Sequence, residues 1–277
     1  MNNNIPLAAT ATVPYHAMSD RYAHVTTTDI LSTLQEDGWK LDDGNQARSR
    51  IPGKEAHTKP LLRLSHPNVS GRSEGGIANA VNPQVVVLNS SDGTSSLRMM
   101  LGMFRMACAN GIITGDTMRE FRVGHRGVGL QEKVLAHAAT LRDQTAQMLD
   151  VVDRWRATPV GGADVRDFAA AAIRLRSPDA VPLFGSIFDR RTAERVHHVA
   201  GGTFINAVRS SDVEDNLWNV FNRAQESLIN GRYRQIKPLE DGTWKASNVR
   251  RVTSLTKSVK LNQEIWNLAS QMDVALN

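Results

Sequence analysis

A single cysteine in 277 residues, aromatic side chains at only 5 %, and no long apolar run set the first limits on this chain. The lone Cys108 cannot close an internal disulfide, which excludes a disulfide-framed secreted scaffold and suits a reducing bacterial cytoplasm. No segment approaches the ~20 consecutive apolar residues that cross a bilayer, so no membrane partner is expected. The start, MNNNIPLAATATVPYHAMSD, lacks the basic residues and continuous apolar segment of a signal peptide. Catalytic signatures are missing as well. There is no HExxH, Cys/His cluster, Walker loop, dinucleotide fingerprint or GxSxG, and His57, His66, His125, His137 and the His197-His198 pair show no metal-ligand spacing. No cofactor and no catalytic residue is therefore expected.

What is present is a hydrophobic content of 41 %, enough for a real core, with a net charge of +5. At a sequence pI near 9.6 the chain would attract an anionic partner over about a Debye length. Residues 1–20 read as a loose polar arm, 21–130 as an α+β domain, and 131–277 as a mainly helical region with a basic segment over 231–260. A helix capped by Thr26, Thr27 or Thr28 runs to Glu36, where Asp37-Gly38 breaks it. Strands are expected near Trp39–Leu41, Ala47–Ile51, Pro60–Ser65 and Gln84–Leu88, with a long loop over His66–Asn82.

The stretch NSSDGTSSLRMMLGMFRMACANGIITG, from Asn89 to Gly115, carries two permanent charges in very apolar surroundings. Its period suggests a helix over Thr94–Asn110, with Arg98 and Arg105 on one stripe beside Gly102 and Ala109. An arginine in such a helix must reach acceptors or water. Either it pairs internally, for instance with Asp92, Asp116 or Glu120, or it faces a phosphate. The preceding turn, including Asn89, Ser90, Asp92 and Gly93, either caps that helix or offers its backbone N–H groups to an anion. Asp92, Asp116 and Glu120 could alternatively hold a divalent metal for DNA cleavage.

Farther on, Val134, Ala138, Leu141, Thr145, Met148, Val152 and Trp155 are spaced as the seam of one long helix suited to self-association. Helices are also expected over Asp164–Leu175, Thr192–Val199, Ser211–Asn230 and Ser258–Met272. In the basic segment Arg232, Arg234, Lys237, Lys245, Arg250, Arg251, Lys257 and Lys260 face only Glu240 and Asp241. Tyr233 and Trp244 lie among them, so the segment is either a solvated face with two core aromatics or a surface for phosphates and stacked bases.

The central segment PQVVVLNSSDGTSSLRMMLGMFRMACANGIITG, followed by FRVGHRG, resembles the phage- and plasmid-encoded domain-of-unknown-function family numbered nine-three-two. Asn89, Ser90, Asp92, Gly93, Ser95, Arg105, Cys108, Asn110, Gly111 and His125 match its pattern, and RRVTSLTKSVKLNQEIWNLA resembles its closing segment. The resemblance implies a mobile-element protein of a bacterial host. By fold-level analogy, the order of elements is similar to the single-strand annealing proteins of phages, the Red-beta, RecT and Rad-type group, which bind strands on an oligomeric ring or filament without a cofactor.

The expectation is thus an α+β protein, with an N-terminal helix–antiparallel strands–helix core followed by a mainly helical C-terminal part. It would bind single-stranded DNA and promote annealing as a homo-oligomer, with Arg50, Arg63, Arg98, Arg105, Arg250, Arg251 and Lys257 on the phosphates. A metal-dependent DNA-processing enzyme and a protein-binding inhibitor of a host defence system are the alternatives.

Overall fold

A computed structural model describes residues 5–16, 24–69, 81–105, 112–113, 120–123, 129–178, 207, 209–238, 240 and 244–277. The chain divides into two compact units, Met1–Met148 and Leu149–Asn277, which are taken separately.

In the first unit, α1 (Thr27–Glu36) begins as its sequence dictates: the Thr26 hydroxyl accepts the Asp29 N–H at 3.1 Å, with Asp29 in the first turn. Ile30, Leu31 and Leu34 form its buried stripe. Gly38, at φ +95°, lets the chain turn directly into the sheet. The strands are β1 (Lys40–Gln46), β2 (Pro60–Ser65), β3 (Val81–Leu88), β4 (Leu97–Arg105), β5 (Ile112–Ile113) and β6 (Glu120–Val123). They pair antiparallel in the order β1-β2-β3-β4-β5, with β6 also against β4. Helix α2 (Leu130–Asp143) closes the unit against α1 and β4. The fold is α+β, and the helix–antiparallel strands–helix order holds with α2 as the second helix. The strand suggested at Ala47–Ile51 is absent, and β1 lies just before it.

The segment Leu97–Arg105, expected as part of a helix, is β4, the most heavily paired strand of the sheet. An unbroken apolar run has no polar face to reveal its period, so a strand buried on both sides reads like a buried helix. Leu97, Met99, Leu101 and Met103 fall on one face with Leu62, Leu64, Val85 and Val87, all at most 1 % exposed. Met100, Val86 and Leu88 are equally buried on the other.

Residues 5–16, expected as part of a loose arm, pack onto this unit. Ala8 and Ala9 are buried in a 3-10 turn, Ala8 N–H donates to Gln46 Oε1 at 2.8 Å, and Tyr15 N–H donates to the Ser91 carbonyl at 2.9 Å.

The expected single long helix is two helices, α2 and α3 (Thr145–Ala157), parted at Gln144. Its seam is spent inside the chain: Val134, Ala138, Leu141, Met148, Val152 and Trp155 are at most 1 % exposed. That seam is therefore not a surface for self-association. In the second unit α4 (Gly162–Arg176), α5 (Leu217–Asn230), the hairpin β7 (Arg234–Pro238) and β8 (Trp244–Asn248), and α6 (Leu255–Leu276) follow. The helix expected at Thr192–Val199 lies outside the described residues.

Helix α5 is buried along its whole length from Leu217 to Ile229. Trp155, Phe221 and Trp266 meet around it with ring centroids 4.4–5.6 Å apart. Several of its polar side chains are paired internally. Gln225 donates to Asn262 at 3.0 Å, and Glu226 accepts from Arg209 at 3.1 Å and Arg232 at 2.8 Å.

Candidate functional site

The turn between β3 and β4 is built as a structural hub. Asp92, 8 % exposed, accepts from Ser90 Oγ at 2.6 Å, Thr94 Oγ1 at 2.5 Å and Thr94 N–H at 3.1 Å. Lys54 Nζ stands 2.9 Å from its other oxygen and 5.0 Å from the centre of the Tyr15 ring. Burial alone would raise the Asp92 carboxyl, but the hydroxyls of Ser90 and Thr94, Lys54 and the Thr94 N–H outweigh it and hold the pKa down at about 2. Asn89 is fully buried and donates to the Val25 carbonyl at 3.0 Å and Thr27 Oγ1 at 3.1 Å. Ser91 Oγ meets His24 Nε2 at 3.2 Å. The turn thus ties residues 15, 24–27 and 54 to the sheet. Gly93, at φ +67°, shapes it.

Because β4 follows, no helix N-terminus stands behind Asn89, Ser90, Asp92 and Gly93, which removes the premise of an anion site there. Of the three carboxylates of the metal alternative, Asp92 is paired with Lys54, while Asp116 and the side chain of Glu120 lie outside what is described.

The arginines of this unit do not form the expected stripe. Along a strand, residues an odd number apart belong to opposite faces, so positions 98 and 105 sit on opposite sides of β4. Arg63 is in register with Val86 and Met100 on the face of position 98, and its guanidinium is bound to Asp43 at 2.7 Å. Arg98 is half-buried, opposite Leu88 and Arg122, and is not a free side chain. Arg50 is exposed on the connection after β1.

The predicted cations that do gather around a concavity are those of the second unit. A cavity of about 440 Å³ opens between the end of α4 and the start of α6. Arg251, Lys257 and Lys260 are exposed side chains lining it, with Arg176 from the last turn of α4 and Glu264 as the acidic member. Lys257, Lys260 and Glu264 occupy one face of α6 at helical spacing. Ser254 caps that helix, its hydroxyl accepting from the Lys257 N–H at 3.4 Å. Arg176 has a structural part, donating to the carbonyls of Leu228 and Arg250 and so holding the 250–251 backbone against α4 and α5. Arg250 lies exposed beside the pocket.

Lys260 Nζ is 3.6 Å from Glu264. Among the described residues Arg251 and Lys257 have no acidic side chain at ion-pair distance. Sequence reasoning picked out Arg251 and Lys257 and counted Lys260 in the basic segment, but did not place Arg176 at a site. The signal for Lys260 was its position three residues after Lys257 on a helix; nothing local pointed to Arg176, which arrives through the tertiary fold.

The aromatic side of the expected interface changes. Tyr233 is 2 % exposed, its hydroxyl pushed to a raised pKa by burial, and it is a core residue. Trp244 begins β8. His66 Nε2 donates to the Asp37 carbonyl at 3.0 Å while Nδ1 accepts from the Asn68 N–H at 3.2 Å, and burial lowers the pKa of His137. No described helix is long and apolar enough to cross a membrane.

The family model described as "Domain of unknown function (DUF932)" matches residues 14–266. Two similar proteins of Escherichia coli (strain K12) align over 258 residues, covering 93 % of this chain and 85 % of theirs. They are UPF0380 protein YafZ, 30 % identical, and UPF0380 protein YfjQ, 29 % identical. No solved structure matches the chain.

Proposed function

We propose that the chain, which belongs to the DUF932 family, binds single-stranded DNA through the cationic mouth formed by Arg251, Lys257 and Lys260, with Arg250 beside it. The observation that carries this reading is the convergence of three exposed cations on one concavity, with Arg251 and Lys257 unneutralised among the described residues. Surface lysines scattered singly need no explanation, whereas unpaired like charges held together repel each other until an anion joins them. Counterion release on neutralising phosphates then supplies the affinity, and it needs neither a covalent step nor a cofactor.

The burial of Tyr233 refines the reading. With that ring in the core, contacts run to the phosphates and leave the bases free to pair, which is what strand annealing requires. Annealing and recombination in a phage, prophage or plasmid setting, in the bacterial cytoplasm, are the role we propose for this binding.

Fluorescence anisotropy with a labelled single strand and the matching duplex tests the reading. The single strand is expected to bind more tightly, and Arg251→Ala/Lys257→Ala to weaken it about tenfold or more at low salt. Because both side chains are exposed, circular dichroism of the variant should match wild type. Undiminished binding by that folded variant would move the interface elsewhere. Complementary strands carrying a dye and a quencher then measure annealing, which should be faster with wild type than with the double variant.

A further inference from the structure

We infer that the pocket between α4 and α6 receives a strand terminus bearing a phosphomonoester, an assignment that rests on the single-strand reading above and makes it more specific. The cations line a half-open concavity of about 440 Å³, within the roughly 300–1,000 Å³ typical of small-ligand sites. An internal phosphodiester brings one negative charge and must have chain entering and leaving. A terminal phosphomonoester carries about −1.5 to −2 at neutral pH with three acceptor oxygens, and it can enter end-on.

The lining suits one nucleotide. Arg251 and Lys257 supply charge, and Arg251 adds a planar fork that fits two phosphate oxygens at once. Thr253 lies on the same wall. Leu175, Val252 and Leu261 give an apolar side for the sugar and base of the terminal residue. Glu264, on the same helix face, draws Lys260 to its own side at 3.6 Å and leaves Arg251 and Lys257 as the principal phosphate ligands.

The test uses the full chain at low salt and four probes of one sequence: linear single strands with a 5′-phosphate, a 3′-phosphate or only hydroxyl ends, and a covalently closed single-stranded circle. At least one phosphorylated strand is expected to bind about fivefold or more tightly than the hydroxyl-ended strand and the circle, given the added charge near two cations. Lys257→Gln should abolish that preference, so that whatever binding remains is equal for the phosphorylated strands, the hydroxyl-ended strand and the circle. Thymidine 5′-monophosphate should compete only weakly, since it lacks the strand's other phosphates.

Equal, tight binding of all four probes would overturn the end-binding assignment and leave the single-strand reading intact. A mononucleotide that binds as tightly as the phosphorylated strand would also overturn it, in favour of a free-nucleotide pocket. Absence of binding to every strand would remove both readings together.

Discussion

Asp92 is a carboxylate surrounded by four donor groups and shielded from water, so its charge serves the folded state. Its folded pKa of about 2 lies below the unfolded value of 3.8, so the stability it lends is complete above about pH 4. It is lost as pH falls from there through 2. The shift corresponds to about 2 kcal/mol. We expect Asp92→Asn to destabilise the first unit at pH 7 and to flatten its denaturation midpoint between pH 4 and pH 2, where wild type should decline. An unchanged midpoint would show that the hub does not depend on this charge. Sequence reading offered Asp92 as a helix cap, part of an anion site or a metal ligand, whereas its place in the turn depends on Lys54 and Tyr15, which are remote in sequence and meet there only in the folded unit.

Among the elements, α5 and its exit carry the sharpest consequences. Glu226 is 4 % exposed between Arg209 and Arg232, and removing the acid from a buried ion network typically costs about 3–5 kcal/mol. Arg232 is half exposed, so Glu226→Ala should fall toward the lower end, read as a lower urea midpoint of the second unit. Gly231 closes α5 in the left-handed region, at φ +68°, and an added Cβ would run into the Val249 carbonyl oxygen and the Arg250 backbone. Gly231→Ala should therefore cost about 1 kcal/mol or more. It should also weaken DNA binding by displacing the backbone that carries Arg251, whereas a variant that binds as wild type would separate that backbone from the site.

The elements also mark how far sequence alone reaches. The cap at Thr26, the helix end at Asn230 and the amphipathic α6 were legible because each is a local pattern written in a few residues. Helix α4 likewise fell where its apolar spacing put it. β4 was not legible, since Leu97–Met103 is largely covered on both faces and burial erases the alternation that identifies a strand. That one reassignment separates Arg98 from Arg105 and with it dissolves the arginine stripe. The break at Gln144 was equally hidden, because the seam positions continue in phase across it.

For the whole molecule, a net charge of +5 favours any polyanion, so binding alone does not identify an interface. What distinguishes a built site is how affinity responds to salt. For single strands the slope of log affinity against log salt is about −0.7 for each phosphate neutralised. A variant that loses two phosphate contacts should therefore show a slope shallower by about 1.4, whereas a general loss of charge would lower affinity without selecting these residues.

The measurement that tests the account most directly is this salt slope for a single-stranded oligonucleotide, taken for wild type, for Arg251→Ala/Lys257→Ala, and for a control that removes exposed cations of the first unit, Arg48→Ala/Arg50→Ala. The account predicts a steep wild-type slope, a clearly shallower one for the pocket variant, and little change for the control. Equal slopes for wild type and the pocket variant, or no salt-sensitive binding at all, would contradict it.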